Sequence, residues 1–318
     1  MIKASTLVTL LTAALAVTAC SSKKKDAPPA TPPKTEVKPA PTPPAPTPPG
    51  AGMIEIKDVG FATPESVLYL PDQDLYLVSN INGAPTAVDD NGFISKLDAD
   101  GKVIDLKWID GAKDTIKLDA PKGMAVLGGK LYVADVTSVR VFDLATGAAT
   151  SSIDIPGTTF LNDVAAATDK IYVTDSGLTA ELKPSGTDAV YAIDGAGKAT
   201  AIATGADLKG PNGVTVVGGL VWIAPFGSNE VYKVVDGKKV EPAALPTGGL
   251  DGLEALADGR IVVSSWEGKA IYIGAPAGPF TKLADGVEAP ADLGVDRKRN
   301  RVMVPMFMAN AVRFYPIP

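Results

Sequence analysis

Residues 210–224 read Gly210-Pro211-Asn212-Gly213-Val214-Thr215-Val216-Val217-Gly218-Gly219-Leu220-Val221-Trp222-Ile223-Ala224. A turn opens the stretch, a β-branched run follows, two glycines reverse the chain, and a second β-rich run returns. Gly-Gly between two such runs is a hairpin signal, because the tight turns that suit twisted strands need positive φ.

The same plan recurs in both directions along the chain. Its opening appears at Pro64-Glu65-Ser66-Val67, Pro121-Lys122-Gly123-Met124, Leu161-Asn162-Asp163-Val164, Pro211-Asn212-Gly213-Val214, Leu250-Asp251-Gly252-Leu253 and Pro290-Ala291-Asp292-Leu293. A second strand follows each opening, from Leu75-Tyr76-Leu77-Val78 in the first copy to Val302-Met303-Val304-Pro305 in the last. The openings lie 57, 40, 50, 39 and 40 residues apart, room for four short strands per copy, with turns such as 98–101 and 194–197 before the fourth. This pattern predicts an all-β, six-bladed β-propeller over residues 53–318. A β-solenoid is the structural rival, but its turns are usually shorter and more uniform. The last copy ends after a third strand at 311–315, so its outer strand is expected from Met53-Ile54-Glu55-Ile56-Lys57, which closes the ring and removes the open edge.

Composition limits the chemistry. The 318 residues contain no histidine and one cysteine, Cys20. This excludes histidine-based catalytic triads, His-ligated zinc and an internal disulfide. From Met53 onward there are 24 basic and 34 acidic residues, a net of −10, which argues against nucleic acid as a partner.

The segment before the repeats reads as an address and a tether. Lys3 precedes an apolar run at 7–17, too short to span a bilayer and suited to an export signal over 1–19. Val17-Thr18-Ala19-Cys20 resembles a bacterial lipobox, which implies lipidation of Cys20 and anchoring to the cell envelope. Ser21 after the cysteine favours the outer membrane, facing the periplasm. An ordinary secretory signal with a chance cysteine is the alternative. Residues 21–52 hold 11 of the 27 prolines and only Val37 as a large apolar side chain, so 20–52 is expected to be a disordered, extended tether. Its Lys23, Lys24 and Lys25 suit anionic headgroups. A ligand for a proline-recognising module is the other reading of this segment.

In a propeller the polar residue that opens each inner strand points into the channel mouth. The six here are Glu65, Lys122, Asn162, Asn212, Asp251 and Ala291. Glu65, Asn162, Asn212 and Asp251 form an all-oxygen set suited to one hard divalent cation, Ca²⁺ before Mg²⁺ or Mn²⁺. Water-bridged polar residues and ordinary Asn-Gly and Asp-Gly turns are the competing account.

These openings resemble those of the gluconolactonase and regucalcin family of six-bladed propellers, and more distantly the paraoxonase-like lactonases. The resemblance covers nearly all of 53–318. It rests on Glu65 in Thr63-Pro64-Glu65-Ser66, Asn212 in Gly210-Pro211-Asn212-Gly213, Asp251 in Leu250-Asp251-Gly252, and the pair Asn162-Asp163. It implies one divalent metal, calcium or zinc, on Glu65, Asn212 and Asp251, with Asn162 beside metal and substrate. It further implies metal-assisted hydrolysis of a lactone or ester, with Asp251 doubling as general base. Lys122 then either binds an anionic substrate group or oxyanion, or forms a structural salt bridge to a channel carboxylate such as Asp163. Phe160 stands where sugar-lactone members carry Arg, and the mouth histidines of the paraoxonase branch are missing. Phe226, Trp266, Met306, Phe307 and Met308 suggest an apolar rim. Asp135 and Asp175, each ending a second strand, read as turn-stabilising, and Asp292 as a strand-entry residue.

Two functions therefore stand side by side. One is an envelope-anchored, metal-dependent lactone or ester hydrolase acting as a monomer. The other is a noncatalytic propeller that keeps a structural ion and binds a partner protein or small ligand.

Overall fold

A computed structural model describes residues 52–318. The expectations for 1–19, for Cys20 and for the tether lie outside the described residues. The six expected blades are present as six four-stranded antiparallel sheets. Five inner strands begin at the repeat openings: Pro64–Leu70, Pro121–Leu127, Leu161–Ala166, Pro211–Val217 and Leu250–Ala255. The sixth is a correction. Regular pairing in blade 6 covers only Gly294–Asp296, and Pro290 and Asp292 make isolated bridges to Met306 and to Ser66 of blade 1.

Ring closure follows the expected route. Ile54–Ile56 pairs antiparallel with Ala311–Pro316, so the start of the domain completes blade 6 from the outside. At the inner side of the same seam, Asp292 Oδ2 accepts the Ser66 hydroxyl at 2.5 Å. Lower on the seam, Arg299 of blade 6 forks onto Asp74 of blade 1 at 2.7 and 2.8 Å.

Alternation along each strand sends apolar side chains to both faces of every blade, and the faces pack against their neighbours. Six of the apolar clusters correspond to the six seams. Leu253, Tyr272 and Trp222 lie between blades 4 and 5, for example, and Phe314, Tyr76 and Ile56 close blades 6 and 1. Each fully buried side chain of this kind contributes about 1.5–3 kcal/mol. Packing of wedge-shaped blades, rather than a single central core, holds the ring.

The inner strands carry one feature that the site depends on. In blades 1 to 5 the pairing of inner and second strand shifts register at the mouth residue, between Pro64 and Ser66, Pro121 and Met124, Leu161 and Val164, Pro211 and Gly213, and Leu250 and Leu253. Such bulges re-aim a side chain that a regular strand would place on a sheet face. In alternate blades a hydroxyl of the second strand fills the gap in the ladder. Ser79 Oγ accepts Ser66 N–H at 2.9 Å, Thr174 Oγ1 accepts Asp163 N–H at 3.0 Å, and Ser264 Oγ accepts Gly252 N–H at 2.7 Å. Thr174 and Ser264 then donate to Asn212 O at 2.7 Å and Ala291 O at 3.0 Å, tying each blade to the next.

Neighbouring inner strands approach closely just below the mouth. A Cβ on Gly213 would lie 2.2 Å from Asp251 O, and one on Gly294 would lie 2.0 Å from Val67 O. Only glycine fits such an approach. Gly294→Ala should therefore force the blade 6 and blade 1 strands apart and lower stability by about 1–3 kcal/mol or more, read from the urea unfolding midpoint.

Candidate functional site

The bulges bring the sequence-predicted set together at the mouth where the inner strands begin. Glu65, Lys122, Asn162, Asn212 and Asp251 are all buried, none more than 5% exposed. Their hydrogen bonding is incomplete in a consistent way. Glu65 Oε2, Asn162 Oδ1, Asn212 Oδ1 and Asp251 Oδ1 are each buried without a protein hydrogen-bond partner. A buried acceptor left unpaired costs about 1–3 kcal/mol, and four of them stand on blades 1, 3, 4 and 5 of one ring.

The orientation of two of these groups is enforced by neighbours. Asn162 Nδ2 donates to Ser176 Oγ at 3.0 Å, and that hydroxyl donates onward to Pro211 O at 2.7 Å, so the amide oxygen is the end left free. Asp251 Oδ2 accepts the Trp266 indole N–H at 2.7 Å, which leaves Oδ1 free. Trp266 is the contact that sequence reading missed. It was visible only as an aromatic residue directly after a second strand, at the rim, with nothing in the sequence to link it to Asp251.

Trp266 also anchors an apolar wall. Its ring lies 5.8 Å from Phe226 of blade 4, edge-on, and 5.4 Å from Phe307 of blade 6. Phe226 and Met308 are exposed at the rim, at 40% and 71%. Met306 is a correction to the expected rim, since it is buried among Val262, Ile271 and Val304 in the seam between blades 5 and 6.

Lys122 is fully buried beside this set. Its ammonium donates to Ala120 O at 2.9 Å and sits 4.6 Å from the centre of the Phe160 ring. The aromatic residue at the position where an Arg was looked for thus forms a cation–π floor under a lysine from the next blade. The salt bridge to Asp163 is not formed. Asp163 uses its carboxylate on the N–H groups of Val164 at 2.6 Å and Val214 at 2.7 Å, stapling blade 3 to blade 4. Asp135 and Asp175 are structural, as expected. Asp135 receives Ala120 N–H at 2.7 Å and Arg140 Nε at 2.7 Å, and Asp175 receives Phe160 N–H at 2.9 Å and Gly177 N–H at 3.0 Å. Asp292 bonds Ser66 and lies below the mouth, one position past Ala291 in the chain.

Burial sets the electrostatics. It holds the Glu65 carboxyl well above its usual range, with the Asp251 charge adding to the effect and Lys122 opposing it. It pushes Asp251 up to about 7, against the lowering pull of the Trp266 N–H, and draws the Lys122 ammonium down to about 8. Lys122 is the cation that acts on Glu65 in this cluster. Four free oxygens from two carboxylates and two amides suit a hard divalent ion. Among the described residues no three His, Cys, Asp or Glu side chains gather at metal-binding spacing, so any ion here would depend on the two amides.

The chain is a six-bladed propeller with a buried oxygen cluster at one mouth of its channel. No protein-family model matches the sequence, and no curated protein does. Solved structures match the fold. A virginiamycin B lyase from Staphylococcus aureus aligns with a TM-score of 0.60 at 12% identity, over 84% of this chain and 99% of that one. A gluconolactonase from Xanthomonas campestris aligns with a TM-score of 0.61 at 18% identity, over 81% of this chain and 87% of that one. The lyase has also been solved with quinupristin as a histidine-to-alanine variant that is catalytically inactive, at a TM-score of 0.57 and 13% identity.

The Asp251 environment makes a pH prediction. Its folded pKa lies above the roughly 3.9 of an unfolded aspartate, so the folded protein keeps a proton that the unfolded chain loses. Its contribution to stability is therefore complete below about pH 4 and declines as pH rises toward about 7. Trp266→Phe removes the opposing N–H and should extend this decline to higher pH. Asp251→Asn should make the decline shallower, with the buried Glu65, Asp163, Glu254 and Asp292 accounting for what remains, in urea titrations of chelator-treated protein between pH 4 and 9.

Proposed function

We propose that the protein is a metal-dependent hydrolase of lactones or related esters. The observation that carries this reading is the set of four buried, unpaired oxygens on Glu65, Asn162, Asn212 and Asp251. These residues would hold one divalent cation, with calcium the best match to carboxylate and amide oxygens. Once bound, the cation supplies Lewis acidity toward a carbonyl and favours deprotonation of water. The fold likeness to a gluconolactonase is consistent with this chemistry.

The chain's own residues take the remaining roles. Trp266 fixes one oxygen of Asp251 and leaves the other facing the channel, where a carboxylate can accept a proton as general base. Asn162, held by Ser176, presents its amide oxygen to metal and substrate. Lys122 keeps its ammonium in a dry site over Phe160, where a cation stabilises developing negative charge more strongly than in water. Phe226, Trp266 and Phe307 give one side an apolar wall against which a substrate's apolar part can pack. Before the domain, the same reading carries a lipid on Cys20 and an envelope location, resting on the sequence alone.

Metal analysis of the purified protein, followed by a panel of lactones and aryl esters with and without chelator, tests the proposal. One divalent ion per chain and chelator-sensitive turnover are expected. Asp251→Ala should cut kcat/KM by about 10²-fold or more, and Glu65→Ala should release the metal. Bound metal with no turnover across the panel would instead support a binding propeller. Absence of metal after calcium and zinc are supplied would remove both readings. Separately, Cys20→Ala should move the protein from the membrane fraction to the soluble fraction on cell fractionation.

A further inference from the structure

A cavity lies at the other end of the channel. It has a volume of about 430 Å³ and opens on the face where the inner strands end, beside the 70–73 turn and Arg297. That volume falls within the range of small-molecule sites. Its lining mixes apolar side chains, Val67, Met124, Val164 and Leu293 among them, with polar ones that include Ser66, Asp163, Thr215, Glu254, Asp292 and one cation, Arg297. The close approach of inner strands at Gly213 and Gly252 lies between this chamber and the oxygen cluster at the upper mouth.

Some of these polar groups are already satisfied. Both oxygens of Asp163 accept backbone N–H groups, and Ser66 donates to Asp292. Others are not. Asp292 is 6% exposed, its Oδ2 takes the Ser66 hydroxyl, and among the described residues no donor reaches Oδ1. Thr215 is likewise 6% exposed, and its hydroxyl makes no hydrogen bond among the described residues. Glu254 uses Oε2 on the N–H of Ala255 at 3.2 Å, which leaves Oε1 without a donor. Arg297, the one cation in the lining, donates to Ala255 O at 3.0 Å; it makes no direct ion pair with Glu254, though its charge pulls that carboxyl down against the effect of burial.

We infer that this lower chamber is a second ligand site, one that takes a small organic ammonium with a short apolar body, received by Asp292, Glu254 and Thr215. An ammonium group carries three N–H donors and one positive charge. Asp292 Oδ1, Glu254 Oε1 and the Thr215 hydroxyl line the chamber without a protein donor among the described residues, beside apolar side chains that suit an alkyl or aryl body. Arg297 is the single cation of the lining and its guanidinium is turned to Ala255 O, so an anion would meet more carboxyl groups than cations, and a neutral apolar molecule would bury those carboxyl groups without a partner. A bare metal ion does not suit the chamber, because no three carboxylates converge among the described residues and the space far exceeds one ion.

Titration of the full-length protein with benzylammonium chloride, followed by ligand-observed NMR and calorimetry, tests the inference. Benzyl alcohol serves as the neutral partner of equal shape. Saturable one-to-one binding is expected for the ammonium, at least tenfold tighter than for the alcohol. Glu254→Gln and Asp292→Asn should each weaken it about tenfold or more, and Thr215→Val about threefold, with thermal unfolding used to verify the folded state of each variant. Asp251→Asn, at the upper mouth, should change the affinity less than either carboxyl variant in the chamber. Equal affinity for amine and alcohol would overturn the inference. So would no saturable binding, or loss of binding in Asp251→Asn but not in folded Glu254→Gln.

Discussion

The site depends on one backbone irregularity repeated around the ring. At the start of the inner strand in blades 1 to 5 the pairing slips, and the residue at the slip turns from the sheet face into the channel. A slip leaves ladder N–H groups without carbonyl partners, which is costly in a buried position. Ser79, Thr174 and Ser264 remove that cost by accepting the orphaned N–H groups. Thr174 and Ser264 also donate to the neighbouring blade, so the interaction that permits the bulge also sets the spacing between blades.

The charge distribution of the channel follows from the same packing. Close approach of inner strands admits glycine at some second-tier positions and short polar residues at others, among them Asp163, bonded to the next blade, and Asp292, bonded across the ring closure. Carboxyl groups held this way are deeply buried, and desolvation raises them well above their usual range. The two ends of the channel differ in what remains unpaired. At the upper mouth it is four oxygens on a single ring; in the lower chamber it is acceptors spread over a lining of mixed polarity.

Much of the fold was legible in the sequence because propeller blades are local objects. Each hairpin is specified by β-branched runs and Gly, Asp or Asn turns within about 40 residues, and six copies make the ring the simplest way to bury both faces of every blade. Glu65, Asn162, Asn212 and Asp251 could be chosen for the same reason, since their place in the repeat is their place in the channel. Blade 6 was less legible. Its opening at Pro290 is right, but the ladder begins only at Gly294, since Asp292 and Pro290 bridge to partners outside regular pairing.

The sequence by itself determined the number of blades, the use of Ile54–Ile56 to close the ring, and which residue of each repeat reaches the channel mouth. These follow from periodicity and turn chemistry, which act over a few residues. The tertiary structure alone decided which oxygens of those residues stay free. Trp266 comes to Asp251, Ser176 to Asn162, and Phe160 beneath Lys122, while Asp163 turns from that lysine to the backbone of blade 4. Each such partner is set by how adjacent strands and blades are seated, and no pattern within one repeat encodes that distance.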